Sequence, residues 1–442
     1  MKIELNNEIK TVFETLKSNG YECFMVGGCV RDFLLNKNPN DIDFTTNATP
    51  EQIKECFKNF HYFDKGIKHG TVAIKINSIE FEITTYRTDG KYIDNRRPEK
   101  VIFVSNINDD LSRRDFTINA IAYNPEIGFV DNFNGINDLN SRIIKCVNNP
   151  LTRFEEDALR ILRALRFSAT LDFEIEEKTK LACFESAKLL NNISKERVRD
   201  EFFKTITQPS GLKNIFEYID IWGVAIPKLF SLKHNKNSLI DNFSRLSNLK
   251  NNLIFSKKND LAINLSLLFF YLENINKITI DNPKNNFNLN HFNNSKLTKS
   301  ILENLHTNKK TINEVLTIIK YKNTVLETNK TYIKKLCYEV KNIEQVKKII
   351  SFKYLLDNIY NKESDNDNDY LKIKNIILEI EKENLSFTLK DLDINGDDLK
   401  KLNIQEKQIG KILQYLLNAV LNEEIENKKN ILIEYIKKME LN

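Results

Sequence analysis

The stretch that decides the fold is YECFMVGGCVRDFLLNKNPNDIDF, residues 21–44. Cys23, Phe24, Met25 and Val26 read as a short apolar strand, Gly27-Gly28 as a tight junction, and Val30-Arg31-Asp32 as the start of a helix. After a polar turn containing Pro39, a second strand is expected to carry Asp41 and Asp43. Side chains alternate along a strand, so acids two apart point to one face. Carboxylates that close repel one another unless a cation sits between them, and a divalent metal is the usual answer. The paired glycines let backbone approach a ligand, and the helix that follows offers free N–H groups to an anion. Gly-Gly alone is often only a turn, and Asp-x-Asp alone is often a solvated strand end. Both in order within 17 residues point to metal-assisted handling of a triphosphate.

In that combination the stretch resembles the signature of the nucleotidyltransferase superfamily. The branch it resembles holds tRNA nucleotidyltransferases (CCA-adding enzymes) and bacterial poly(A) polymerases. The resemblance implies an α+β nucleotidyltransferase head, a mixed sheet with helices, followed by all-α neck, body and tail domains. Composition agrees with a soluble protein of several domains: 442 residues, 41% hydrophobic and 29% charged. The net charge of +5 is small, so a nucleic-acid footprint must be a local patch. Six scattered cysteines without a C-x-x-C pair argue against zinc and fit a reducing cytoplasm. The polar start MKIELNNEIK does not read as a secretory signal, and the apolar run from Leu261 to Leu272 is too short for a bilayer.

Outward from the opening stretch, Ile9, Val12, Phe13 and Leu16 mark an amphipathic helix. Thr49-Pro50 reads as a helix cap and first turn, and residues 70–76 and 79–86 read as strands. Glu82 lies mid-strand; a third metal-site carboxylate and a solvated strand face explain it equally. Residues 87–104 read as a polar flexible loop. In the resembled family a mobile loop here helps switch from C to A addition, and this one is not visibly shortened.

Arg113-Arg114-Asp115-Phe116-Thr117-Ile118-Asn119-Ala120 resembles the family's second motif. Arg114 has a planar fork suited to a phosphate or sugar. Asp115 could hold that arginine or the ribose, and Asn119 a hydroxyl. The rival is a charged turn capping a helix from Phe116 to Ala122. Strand-like alternation stops near residue 147, and everything after it reads helical.

Residues 153–167, RFEEDALRILRALRF, place Asp157, Arg160, Arg163 and Arg166 along one half of a helix and Ala158, Leu159, Leu162 and Leu165 along the other. A solvated helix with Glu156–Arg160 pairing is the plain alternative. The stretch resembles the family's neck motif, in which Glu156, Asp157 and Arg160 match the residues that select the base. Cytosine and adenine both present an amino donor beside a ring acceptor, whereas uracil and guanine present the reverse order. A carboxylate next to a guanidinium therefore matches C and A. Arg163 and Arg166 suit phosphates or the base stack. Glu196 and Arg197, in a later motif, read as props for this helix.

Beyond residue 205 the pattern is helical, with Trp222-Gly223 expected to break a helix and residues 362–369 to form a linker. In the tail, Gly410 lies within a helical pattern with Lys407 and Lys411. Approach by RNA and tight helix packing are the two explanations, and the lysines would be phosphate contacts in the first. The expected division is 1–147 head, 148–205 neck, 206–370 body and 371–442 tail. The resemblance implies Mg²⁺ on Asp41 and Asp43, with Gly28 and Arg31 cradling the triphosphate, supported by Gly27 and Asp32. The expected activity is CCA addition to the tRNA 3′ end from CTP and ATP, with no membrane or protein partner. The alternatives are an A-adding tRNA enzyme or poly(A) polymerase and, from another class, a non-catalytic RNA-binding protein.

Overall fold

The computed structural model describes residues 3–64, 66–90, 92–93, 97–98, 101–230, 255, 259–280, 294–360, 367–382, 389–422 and 424–439. The chain divides into two compact units, Met1–Ser231 and Leu232–Asn442.

The first unit is built on a seven-stranded mixed sheet. Its strands are β1 (Cys23–Val26), β2 (Asp43–Thr46), β3 (His61–Phe63), β4 (Thr71–Ile76), β5 (Ile79–Thr85), β10 (Ala122–Asn124) and β11 (Gly128–Val130), in spatial order β11-β10-β1-β2-β5-β4-β3. β2 and β5 run parallel and the other neighbours antiparallel. All four residues of β1 are buried because the strand is covered on both faces. Cys23 and Met25 join one apolar cluster, and Phe24 and Val26 join the other. The larger cluster is closed by α1 (Asn7–Ser18), which buries Ile9, Val12, Phe13 and Leu16, the four residues the periodicity picked out. It also holds Ile53 of α3 (Pro50–Cys56), which begins with a Thr49–Gln52 capping box.

Between β5 and β10 the chain forms β6 (Arg87–Asp89), β7 (Tyr92–Ile93), β8 (Arg97–Pro98), β9 (Val101–Phe103) and α4 (Ile107–Ser112). Residues 87–104, expected as a loop, thus contain two short antiparallel ladders, β6 with β9 and β7 with β8. No helix spans Phe116 to Ala122. A single 3-10 turn, Thr117–Asn119, leads straight into β10, whose pairing with β1 claims the later residues for the sheet.

After α5 (Gly135–Asn140) and β12 (Ile143–Ile144) come α6 (Pro150–Glu156), α7 (Leu159–Leu171), β13 (Glu174–Ile175), α8 (Glu177–Glu185), α9 (Lys195–Ile206), α10 (Gly211–Glu217) and α11 (Ile219–Ala225). β13 pairs in parallel with β12, so strand structure outlasts residue 147 by one short strand. Trp222 and Gly223 lie inside α11, because Trp222 is wholly buried against Phe202 and its packing outweighs the glycine. Every described element of the second unit is a helix. Residues 362–366 of the expected linker lie outside the described residues, and Asp367 onward is helix, Asp367–Lys382.

Phe44 stands at the centre of the larger cluster, edge-on to Phe13 at 5.3 Å and to Phe81 at 5.7 Å. Phe44→Ala is expected to cost about 3–5 kcal/mol, from lost burial plus the cavity left behind. Urea unfolding followed by circular dichroism reads this; an unchanged midpoint would remove Phe44 from the core.

Candidate active site in the head and neck

β2 and β5 pair so that Asp43 lies directly beside Glu82, while Phe44 lies beside Ile83. Phe44, Phe81 and Ile83 enter the core, which turns Asp43 and Glu82 to the opposite face. Asp41 does not sit on β2, since the strand begins at Asp43. It nevertheless lines the same cavity of about 540 Å³ as Ile42, Asp43, Glu80 and Glu82. Glu82 therefore belongs with the aspartate pair. Burial, followed by the neighbouring Glu82, pushes Asp43 upward; Arg114 opposes and Asp41 adds a further push, leaving it at about 6. A carboxylate that resists ionisation beside other acids is a place where a cation relieves repulsion. Among the described residues no three acids close into a coordination shell. Acids spread around an open cavity suit a hard divalent ion that keeps water and phosphate oxygens as its remaining ligands.

The Gly-Gly junction borders this cavity's cationic neighbour. Gly27 has φ 78° and ψ −132°, a backbone conformation that glycine adopts freely, and caps α2 (Gly28–Leu34). A Cβ at Gly27 would lie 3.0 Å from Nη1 of Arg114, so the glycine also makes room for that guanidinium. Arg114 donates through Nη2 to Asp110 at 3.1 Å, and its Nε is buried without a partner.

Arg31 is buried, and its fork is engaged. Nε and Nη2 donate to Asp32 at 2.9 and 2.7 Å, and Nη1 donates to Oδ1 of Asn119 at 2.8 Å. Asn119 donates in turn to Asp115 at 3.2 Å, and Asp115 accepts from Nε of Arg163 at 2.7 Å. Burial works against the Asp115 charge, but Arg163 above all, with Arg160 and Asn119, brings it down to about 2. A continuous polar chain thus runs from α2, through the 3-10 turn, to α7. Asp115 holds Arg163 rather than Arg114.

The neck departs from a single amphipathic helix. Asp157 takes extended backbone angles, φ −138° and ψ 100°, and separates α6 from α7. Its Oδ1 accepts the N–H of Leu159 at 3.1 Å, and its Oδ2 accepts from Arg197 at 2.9 Å. Asp157 and Arg160 are therefore not one turn apart on a common helix face. Arg160 is 8% exposed; Nη1 donates to Glu156 at 2.6 Å, and Nη2 donates to the carbonyl of Arg113 at 2.9 Å. Arg166 donates to the buried Glu201 at 2.6 Å. The Phe167 ring lies under Arg166 at 4.1 Å and under Arg31 and Arg163 at 5.3 Å each. Arg197 does brace the neck, through Asp157. Sequence reading missed Asp110, Glu201 and Phe167 as organising residues. Only the helical spacing from Asp110 to Arg113 and Arg114 could have flagged the first.

In the second unit, Lys407, Gly410 and Lys411 share the helix Glu406–Leu421 and are exposed. Nothing lies within 4 Å of a Cβ built on Gly410, so tight helix packing does not explain this glycine.

Residues 23–145 match the family model described as "Poly A polymerase head domain". Residues 172–216 match the "Probable RNA and SrmB- binding site of polymerase A", and residues 287–436 match tRNA nucleotidyltransferase domain 2. A CCA-adding enzyme of Lactobacillus delbrueckii subsp. bulgaricus is 48% identical over 201 residues, 46% of this chain and 50% of that protein. One of Enterococcus faecalis is 48% identical over 199 residues, 45% of this chain and 48% of that protein. The chain thus spans about half the length of the curated relatives it matches. In fold it is similar to the Bacillus stearothermophilus CCA-adding enzyme in complex with CTP (TM-score 0.74, 24% identity, 99% of this chain and 100% of that one). It is also similar to the Thermotoga maritima CCA-adding enzyme complexed with tRNA (TM-score 0.59, 21% identity, 98% and 96% covered).

The raised Asp43 sets a pH window. Its folded-state pKa of about 6 exceeds the ordinary value of 3.8, so without a cation stability falls as pH rises between the two. A divalent cation is expected to raise the melting temperature, with little effect near pH 5 and a growing one as pH passes 6. Asp43→Asn should flatten that dependence. Thermal shift with Mg²⁺ or Mn²⁺ across pH reads it; a pH-independent shift would sever Asp43 from the cation.

Proposed function

We propose, for a chain whose head belongs to the poly(A) polymerase head-domain family, that it adds C and A nucleotides from CTP and ATP to the 3′ end of tRNA and releases pyrophosphate. One observation carries the reading: the Arg113-Arg114 dipeptide joins the acid cavity to the neck. The Arg114 charge acts on Asp43, while the Arg113 carbonyl holds Arg160. Phosphate chemistry and base selection then meet at one corner of the head.

In this reading Asp41 and Asp43 hold Mg²⁺, with Glu82 beside them. The bound metal supplies Lewis acidity toward the α-phosphate, a lowered pKa for the primer hydroxyl, and stabilisation of the leaving pyrophosphate. The chain's own groups orient the substrates. Gly27 and Gly28 let backbone N–H groups of α2 approach the triphosphate, and Arg114 adds a cation there. Arg31 and Asn119 set the floor of the cradle and tie it to Asp115 and Arg163. Asp157 and Arg160 select the base, Asp157 as acceptor and Arg160 as donor. Their partners Arg197 and Glu156 hold them preorganised, since a carboxylate has lone pairs to share. Leaving these groups unpaired against U or G would cost on the order of 1–3 kcal/mol each.

We divide the chain into head 1–147, neck 148–205, body 206–370 and tail 371–442, and assign tRNA backbone contacts to Lys407 and Lys411, with Gly410 open to close approach. Six free cysteines fit a cytoplasmic protein, and no described helix is long and apolar enough to cross a membrane. The names of the relatives favour full CCA addition over an A-adding or poly(A) activity.

Incubating the protein with a tRNA stripped of its 3′ end separates these. CTP alone should extend it, and ATP should complete it; no extension with CTP leaves the A-adding readings, and no pyrophosphate with any nucleotide leaves an RNA-binding protein. Asp41→Ala is expected to reduce addition to background with tRNA affinity nearly unchanged in a filter-binding assay. Undiminished addition would sink the catalytic assignment.

A further inference from the structure

Asp110 sits near the end of α4, three and four residues before Arg113 and Arg114, so a helical turn brings both forks to its carboxylate. It is fully buried. Oδ1 accepts from Arg113 Nε at 3.0 Å and Nη2 at 2.8 Å, and from the backbone N–H of Arg87 at 3.4 Å. Oδ2 accepts from Arg114 Nη2 at 3.1 Å. Arg114 needs this anchor to keep its direction, because its Nε is buried without a partner and its Nη1 packs over Gly27. Arg113 carries the carbonyl on which Arg160 rests.

We propose that Asp110 is a positioning residue with two arms: it aims Arg114 at the triphosphate and, by fixing Arg113, holds the support of the base-reading Arg160. The inference rests on the nucleotide-adding reading above and names a residue that touches no substrate. A buried carboxylate satisfied by two guanidiniums is often only structural, and removing one such partner destabilises whatever the function. The two arms separate the cases. Asn at position 110 would turn an amide N–H₂ toward one of the forks, releasing it, and leave the other a single uncharged acceptor, loosening both. Arg113→Gln would release the Arg160 support alone, and Arg114→Lys the phosphate contact alone.

Equilibrium binding of CTP and UTP to the full chain, with steady-state addition to tRNA, tests this. Asp110→Asn should weaken CTP binding on the order of 10- to 100-fold and lower the preference for CTP over UTP. Arg113→Gln should lower that preference by weakening CTP, whose base edge Arg160 reads, more than UTP. Arg114→Lys should weaken both nucleotides equally. The proposal is overturned if Asp110→Asn lowers the melting temperature or kcat while affinity and preference stay at wild-type values. It is equally overturned if Arg113→Gln leaves the preference intact, and that variant decides alone should Asp110→Asn fail to fold. A wild-type chain that binds CTP but transfers nothing would fell the functional reading and leave these binding ratios to judge Asp110.

Discussion

Asp43 beside Glu82 on adjacent strands is an unfavourable placement, and much of the first unit is arranged around it. Two acids held side by side by backbone register cannot relax away from each other without breaking the β2–β5 ladder. Aromatic packing under the sheet fixes that register, because a slip by one residue would send Phe44 and Ile83 to the wet face and the acids into the core. The repulsion is therefore stored where the fold cannot dissipate it. It is offset from one side by Arg114 and left open to a cation on the other.

The arginines need their own supports. Guanidiniums are costly to bury unpaired, and this region brings several together. Asp110 takes Arg113 and Arg114, Asp115 takes Arg163, Glu201 takes Arg166, and Glu156 takes Arg160. The Phe167 ring fills the space beneath three of the forks, a use of an aromatic face that an aliphatic side chain could not match. The result is a set of donors whose directions are fixed by the fold. In the proposed reading, nucleotide binding then costs little reorganisation, and selection between bases rests on which edges find partners.

The Asp157 break serves the same end. Had α6 and α7 been continuous, Asp157 would have shared a helix face with Arg160 and the two would have neutralised each other. The extended angles at Asp157 instead send it to Arg197 and leave Arg160 to Glu156 and the Arg113 carbonyl.

Local pattern was enough for β1, β2, β4 and β5, for α1 and for the capped start of α3, since these depend on period and on residues within a turn of one another. It drew attention, too, to Asp41, Asp43, Gly27, Arg114 and the neck acids and arginines, of which the structure brings Asp41 and Asp43 to one cavity and Arg114 against Gly27. Partners were beyond it. Whether Glu82 joins Asp43 depends on which strand pairs with β2, and Asp115 meets Arg163 across 48 residues of chain. The helix break at Asp157 and the β10 pairing that replaced an expected helix likewise came from tertiary contacts outweighing local propensity. Sequence by itself settled which groups are present and which segments carry them; only the packed structure decided which charge faces which, because Coulomb and hydrogen-bond energies depend on distances that neighbours in sequence do not set.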